Sequence, residues 1–403
     1  MLISQLSMIF TPYLQILLEW VSSITFFIFV AGIIVIIHIF LFFLRDNKFL
    51  NSVIKYKSNN LKYISEFETN SLINIIIPAW KEGDTYELCL KAIKSLKYPK
   101  IKVITSAGGS KKTIEIAEQF LNDQNFKILY QKAGGGKIKA INECLKFISK
   151  GIVCIIDSDV LISDEILKRV IYLLKHKKEK IIKIPLTPHQ SILKYDLVKY
   201  GYINHFTFFR KKFKRYGYGF ASNAFINYKT IKKLGFFTEK RLTDDGISTS
   251  LDFKKLGIKS YNLIETTAPS LTYSNRIGDY FNQQTRWIEN TFYIHFSKKD
   301  TFWILRYILL VIISISVFIL PFLVILNVIF LYLLLFILIA YYFKKIRKIV
   351  FIRKVYPNNG LDLSIQFLLK VLLYIYVDFL INIVATFEIV FFKKAYKRRK
   401  NIQ

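Results

Sequence analysis

An α/β domain with a mostly parallel sheet, joined to helices that span a membrane, is the fold this sequence predicts, and three observations predict it. Short Ile-rich runs recur roughly every 25 residues, with helical apolar patterns between them. Long uncharged stretches lie at 21–44 and 307–343. Lys and Arg outnumber Asp and Glu by 59 to 28, and the excess crowds the flanks of those stretches.

The runs at 73–77, 101–105, 127–130 and 152–156 are short and rich in Ile, so they read as strands. Between them Leu88, Ala92 and Leu96, then Ile114, Ala117 and Leu121, then Ile138, Ile141, Leu145 and Ile148 return at helical spacing. That alternation builds a parallel sheet wound with helices. Ser163, followed by Asp164 and Glu165, has the form of an N-cap with acids in the first helical turn. The stretch 185–218 is basic and aromatic, densest in "YINHFTFFRKKFKRYGYG". It reads as a surface against headgroups, a loop over the site, or an ordinary packed insertion.

With 53% hydrophobic residues and a positive mean hydropathy, the 403-residue chain is too apolar for an ordinary soluble protein. The first uncharged run is one bilayer-spanning helix long. The second exceeds one span and holds Pro321 and Asn327 near its middle, so it reads as a helical hairpin. Arg45, Lys48, Lys55 and Lys57 follow the first run; Lys298, Lys299 and Arg306 precede the hairpin, and Lys344, Lys345, Arg347 and Lys348 follow it. Cytoplasmic loops collect such residues, which places everything between the spans in the cytoplasm. Residues 1–20 carry no Lys or Arg, which suits an external or interfacial start and lacks the basic beginning of a signal peptide.

The apolar stretch 363–392 contains Lys370, Asp378 and Glu388 and ends in "KKAYKRRK". A simple crossing would put that tail outside, so either the segment re-enters or the charge rule fails here. The expected division is an N-terminal segment with one spanning helix (1–45), a cytoplasmic domain (46–297) and a C-terminal membrane region (298–403). The net charge of +31 points to anionic membrane lipids rather than nucleic acid, because the basic residues are scattered and gather at membrane flanks. Cys89, Cys144 and Cys154 lack metal-type spacing and read as small reduced hydrophobes.

Four motifs carry chemistry. In "CIIDSDVLISDE" Asp157 and Asp159 stand at a strand's carboxyl end with Ser158 between them. Carboxylates that close repel unless something cationic intervenes, so the spacing invites a hard divalent cation; alone, it is an acidic turn. "AGGGKIKAIN" sets Gly134, Gly135, Gly136 and Lys137 at the mouth of a helix, where backbone amides and a lysine favour phosphate. It is no Walker loop, since Gln131 and Ile138 occupy that motif's first Gly and its Ser or Thr. "LTDDGIS" pairs Asp244 with Asp245, whose side chains diverge, so that one can act as a general base; the same pair also suits a helix N-terminus. "QQTRWIEN" brings Gln283, Arg286 and Trp287 to one helical face, joining an amide, a diphosphate-binding guanidinium and a stacking surface. An interfacial helix with Trp at headgroup depth would look alike.

Taken in order, "IIIPAWKEG", "GGGKIKAIN", "DSD", "TDDG" and "QQTRW" ahead of apolar helices resemble the membrane-integrated family 2 inverting glycosyltransferases, among them hyaluronan, chitin and cellulose synthases and ceramide glucosyltransferase. The likeness covers roughly residues 70 to 295. It implies a GT-A nucleotide-sugar-binding domain in a multi-pass protein of the cell membrane, with the catalytic domain cytoplasmic. It further implies sugar transfer from a nucleotide-sugar donor to a polysaccharide or lipid-linked acceptor, with a divalent cation, Mg or Mn. The resemblance makes Asp157 and Asp159 the pair that binds donor diphosphate through the cation, Asp245 the catalytic base and Asp244 the acid before it. Gln283, Arg286 and Trp287 match the motif near diphosphate and acceptor, Lys137 the lysine of the donor pocket, and Pro78 and Glu82 the first strand's edge. One departure stands out: "AGGS" puts Ala107 and Gly108 where the family usually has two aspartates, one of which contacts the nucleobase in relatives, so a uracil base is less expected. The alternative reading is an inactive nucleotide- or lipid-binding membrane scaffold. A transporter would need polar sites in several spans, and only Lys370, Asp378 and Glu388 qualify.

Overall fold

The computed structural model describes residues 71–176, 178–206, 214–216, 223–235, 252–297, 299–357 and 364–391, with 47–55 and scattered single positions. Almost all of the run 21–44, the acidic pair Asp244 and Asp245, and the basic tail lie outside the described residues.

In chain order the strands are β1 Ile73–Trp80, β2 Ile101–Gly108, β3 Phe126–Gln131, β4 Ile152–Ile155, β5 Ile181–Lys183, β6 Leu186–Pro188, β7 Lys214–Tyr216, β8 Ala224–Asn227, β9 Lys259–Asn262 and β10 Ala268–Ser270. The helices between and after them are α1 Asp84–Lys94, α2 Lys111–Glu118, α3 Gly136–Leu145, α4 Asp164–Lys175, α5 Asp196–His205, α6 Tyr228–Leu234, α7 Ile277–Ser297, α8 Thr301–Leu323, α9 Ile329–Val355 and α10 Ile365–Phe391. Eight strands form one sheet in the order β3-β2-β1-β4-β8-β5-β9-β7. The first four are parallel, so their carboxyl ends share one edge; β8 enters antiparallel between β4 and β5. Strands β6 and β10 form a separate parallel pair.

β1 is covered on both faces, which is why it reads as a continuous apolar run. Ile75 and Ile77 pack with Tyr86, Leu90 and Leu167 on one face, and Ile76 packs with Ile141, Val153 and Phe253 on the other. Ser110 and Ser163 cap α2 and α4, accepting from the amides of Thr113 and Ile166. The apolar stripe of α1 differs in phase from the spacing read in the sequence: Tyr86, Cys89, Leu90 and Ile93 are buried and Leu88 is exposed. A single exposed leucine costs little, so the core selects the stripe with more apolar surface. The three cysteines are free and buried, and burial pushes the Cys144 thiol up to about 12.

Helices α8, α9 and α10 are each long and apolar enough to cross a membrane. The chain turns between α8 and α9 at 324–328, with Pro321 in the last turn of α8 and the Asn327 side chain accepting from the Ile329 amide at 2.9 Å. Two charges within α10, Lys370 and Asp378, reach α5 and α7. Lys370 pairs with Asp196 of α5 at 2.6 Å. Asp378 accepts from Tyr200 of α5 (2.5 Å), Tyr280 of α7 (2.8 Å), Asn204 (3.0 Å) and Lys345 of α9 (2.9 Å). Two of the three polar positions that a transporter would have used are thus fasteners between helices.

Candidate active site

The carboxyl edge of β4 is where the acidic motif leaves the sheet. Ile156 still donates to the Ile76 carbonyl at 3.1 Å, and the chain then turns, with the Val160 amide on the Asp157 carbonyl at 3.2 Å. Lys137, in the first turn of α3, reaches Asp157 Oδ1 at 2.6 Å. Gly134 and Gly136 before it have φ of +79° and +70°, a turn that glycine adopts without steric cost. On the other side of Asp157 stands Asn223, itself at φ +60°, a region where Asn is tolerated. Its Nδ2 donates to Asp157 Oδ2 at 3.3 Å, and its Oδ1 accepts from the Asp157 amide at 3.4 Å.

Asp159 is held by a different segment. Ser270 donates to its Oδ2 at 2.7 Å, Thr272 donates to the same oxygen, and the Leu271 amide bonds its carbonyl at 2.8 Å. Burial and the charge of Asp157 raise the Asp159 carboxyl above its ordinary range. Glu82, two residues beyond β1, shares this environment: burial lifts its carboxyl, a hydrogen bond with Ser158 lowers it, and Asp159 and Asp157 lift it again. Glu82, Asp157 and Asp159 thus feel one another's charge, and Lys137 lies on Asp157.

The segment that holds Asp159 also holds the later motif. Ser274, two residues after Thr272, donates to Gln283 Oε1 at 3.1 Å. Gln284 bonds the ring of His205 at 3.0 Å, and that ring lies 4.6 Å from the indole of Trp287. His205 is buried and its pKa is pushed down to about 4, first by burial and then by Lys348. Arg286 is exposed and makes no ion pair among the described residues. Pro78 lies within β1, opposite Ser106 of β2. Asp244 and Asp245 lie outside the described residues.

The site therefore contains residues the motifs did not announce: Asn223, Ser270, Thr272, Ser274 and His205. A signal exists for three of them. In "SLTYS" the hydroxyls alternate, which points them to one side of an extended chain. Asn223 carries none, because its partner is 66 residues away.

Residues 74–235 match the model of the family described as Glycosyl transferase family 2. That match, with the sheet order and the carboxylate edge, makes residues 74–235 similar to the family 2 glycosyltransferases. The poly-beta-1,6-N-acetyl-D-glucosamine synthase of Staphylococcus epidermidis is 28% identical over 128 residues, 32% of this chain and 29% of that protein. Glycosyltransferase AglE of Haloferax volcanii is 32% identical over 95 residues, 23% of this chain and 31% of that protein. The matched part is thus about a third of the length of these relatives. Among solved structures, the Pyrobaculum calidifontis mannosyltransferase PcManGT in complex with GDP-Man and Mn2+ is 13% identical, with a TM-score of 0.49 and coverage of 87% of this chain and 98% of that one.

Proposed function

We propose that this chain is a membrane-bound inverting glycosyltransferase that moves a sugar from a nucleotide-sugar donor to a polysaccharide or lipid-linked acceptor. Its α/β domain faces the cytoplasm, and its apolar helices cross the cell membrane. The observation that carries this reading is the shared support of Asp159 and Gln283 by the segment 270–274, which draws the acidic turn and the later motif into one site. The relative named for a poly-N-acetylglucosamine product supports a polysaccharide acceptor.

The transferred sugar leaves a nucleoside diphosphate whose negative charge must be offset in the transition state. Lys137 and Arg286 supply positive charge there, Lys137 by exchanging Asp157 for a phosphate oxygen. The donor set fits a divalent cation, although no group of three or more His, Cys, Asp or Glu is arranged for a metal among the described residues. Glu82, Asp157 and Asp159 offer oxygens only, the kind of ligand a hard divalent cation takes. Asp157 and Asp159 would hold Mg or Mn, which when bound offsets the charge of the diphosphate.

Asp245 takes the proton of the acceptor hydroxyl as that oxygen attacks the anomeric carbon from the side opposite the diphosphate. Attack from that side inverts the anomeric configuration. Trp287, braced by His205, gives the acceptor a flat surface. The test is Asp245→Asn, assayed for sugar transfer and for donor binding in the same lipid preparation. Transfer is expected to vanish with donor binding retained; an active variant refutes the assignment, and metal-dependent nucleotide binding by a wild-type protein that never transfers sugar supports the scaffold instead.

A further inference from the structure

The edge of the sheet opposite the acidic turn holds a cavity of about 290 Å3. Asn227, the last residue of β8 and part of the cavity wall, pairs with Ile152, the first residue of β4, whereas Asp157 lies beyond the last. At the other end of β8, Asn223 bonds Asp157. The four residues of β8 therefore set cavity and acidic turn about 14 Å apart, as two distinct sites. The cavity also faces away from the spanning helices. Ile258 in its wall precedes β9, while Ile264, beyond the far end of β9, is the residue that packs with Phe351 and Val355 of α9.

The lining is strongly basic. Lys178 and Lys180 come from the turn between α4 and β5, Lys229 and Lys233 come from α6, and Glu179 is the one acid among the lining residues. None of these four lysines makes an ion pair with the described residues. Lys229 and Lys233 stand four apart on one helix face, where like charges repel and weaken the helix. Thr230 is 6% exposed and lines the same cavity, and its hydroxyl makes no hydrogen bond to the described residues. Buried hydroxyls normally have a partner. A surplus of three positive charges beside an open hydroxyl suits a multivalent anion rich in oxygen acceptors. At about 290 Å3 the space stands at the lower end of small-molecule pockets, which run from about 300 to 1,000 Å3.

We propose that this cavity binds a soluble anion bearing several phosphates, at a site separate from the acidic turn and without a metal. Lysine ammoniums act on phosphate as compact point charges, and several of them around one space match a chain of phosphates whose oxygens face every side. Lys229 and Lys233 hold the chain from α6, Lys178 and Lys180 from the facing turn, and Thr230 donates to a phosphate oxygen.

The test is calorimetric titration of inorganic triphosphate, in EDTA, into the full-length protein in nanodiscs of phosphatidylcholine, a neutral lipid. One triphosphate is expected to bind per chain. Lys229→Gln combined with Lys233→Gln should weaken it about tenfold or more, and Thr230→Val, which leaves every charge in place, about threefold. Lys137→Gln, beside Asp157, and Lys232→Gln, on α6 but outside the cavity, should bind as the wild type does. Exchanging the lipid for anionic phosphatidylglycerol should leave the affinity unchanged. Absence of metal-free binding overturns the proposal, as does loss in Lys137→Gln, which returns the triphosphate to the acidic turn. Equal loss in Lys232→Gln and the cavity lysines, with none in Thr230→Val, reduces the effect to diffuse surface charge and overturns it too. Competition by phosphatidylglycerol overturns the soluble assignment in favour of lipid headgroups.

Discussion

Asp378 on α10 and Asp159 beside β4 are both carboxylates set among packed side chains, and their surroundings differ in sign. Around Asp378 two tyrosine hydroxyls, one amide and the ammonium of Lys345 converge on a single acid. Around Asp159 the order is reversed: Glu82 and Asp157 are further acids, and Lys137 already lies on Asp157. Buried charges are stable when paired and hydrogen-bonded, so the first arrangement holds helices together. The second keeps negative charge concentrated at an open strand edge, which disfavours the empty site and favours a cationic or metal-bearing ligand.

Asp159→Asn should separate the two sites most sharply. Sugar transfer should fall by about a hundredfold or more, while the melting temperature of the ligand-free protein holds or rises, because the substitution removes repulsion with Asp157. A large thermal loss would instead make Asp159 a structural group. Asp378→Ala should behave in the opposite way, lowering stability by about 3 kcal/mol, because the Lys345 ammonium is left without its carboxylate; thermal unfolding in lipid or detergent reads this out.

The pH dependence distinguishes the sites further. Asp159 and Glu82 have carboxyls raised in the folded state, so their charged forms oppose folding above the folded pKa, and that opposition is relieved as pH falls through it. Metal-dependent donor binding should therefore fade on acidification at a higher pH than an ordinary carboxylate titrates, with no matching loss of stability. In Asp159→Asn that acid limb should shift downward. Smaller still, Tyr280→Phe removes one of Asp378's donors and should cost about 1 kcal/mol. Lys370→Met breaks a largely exposed pair with Asp196 and should cost well under 1 kcal/mol, roughly the range of surface ion pairs.

Much of the first half of the sheet is legible in the sequence. Ile-rich runs buried on two faces announce central parallel strands, and a serine ahead of acids announces α4, because both signals lie within a few residues of what they cause. The phase of α1 is not legible at Leu88, since an isolated leucine fits either stripe until the sheet beneath selects one. Among site residues, Lys137, Asp157, Asp159 and Glu82 were named from their motifs, and the structure draws them into one cluster. The residues that orient them were not, because hydroxyls and amides acquire a role only from what they face.

Sequence by itself determined where the first four strands lie, which stretches are apolar enough for lipid, and which acids stand at the end of β4, all consequences of local spacing and composition. Tertiary structure alone decided that Lys370 and Asp378 grip α5 and α7, that Asn223 and the 270–274 segment hold the acidic turn, and that the Trp80 ring packs against Gly108. Those contacts join residues up to 178 positions apart, and no local pattern encodes a partner that only folding brings near.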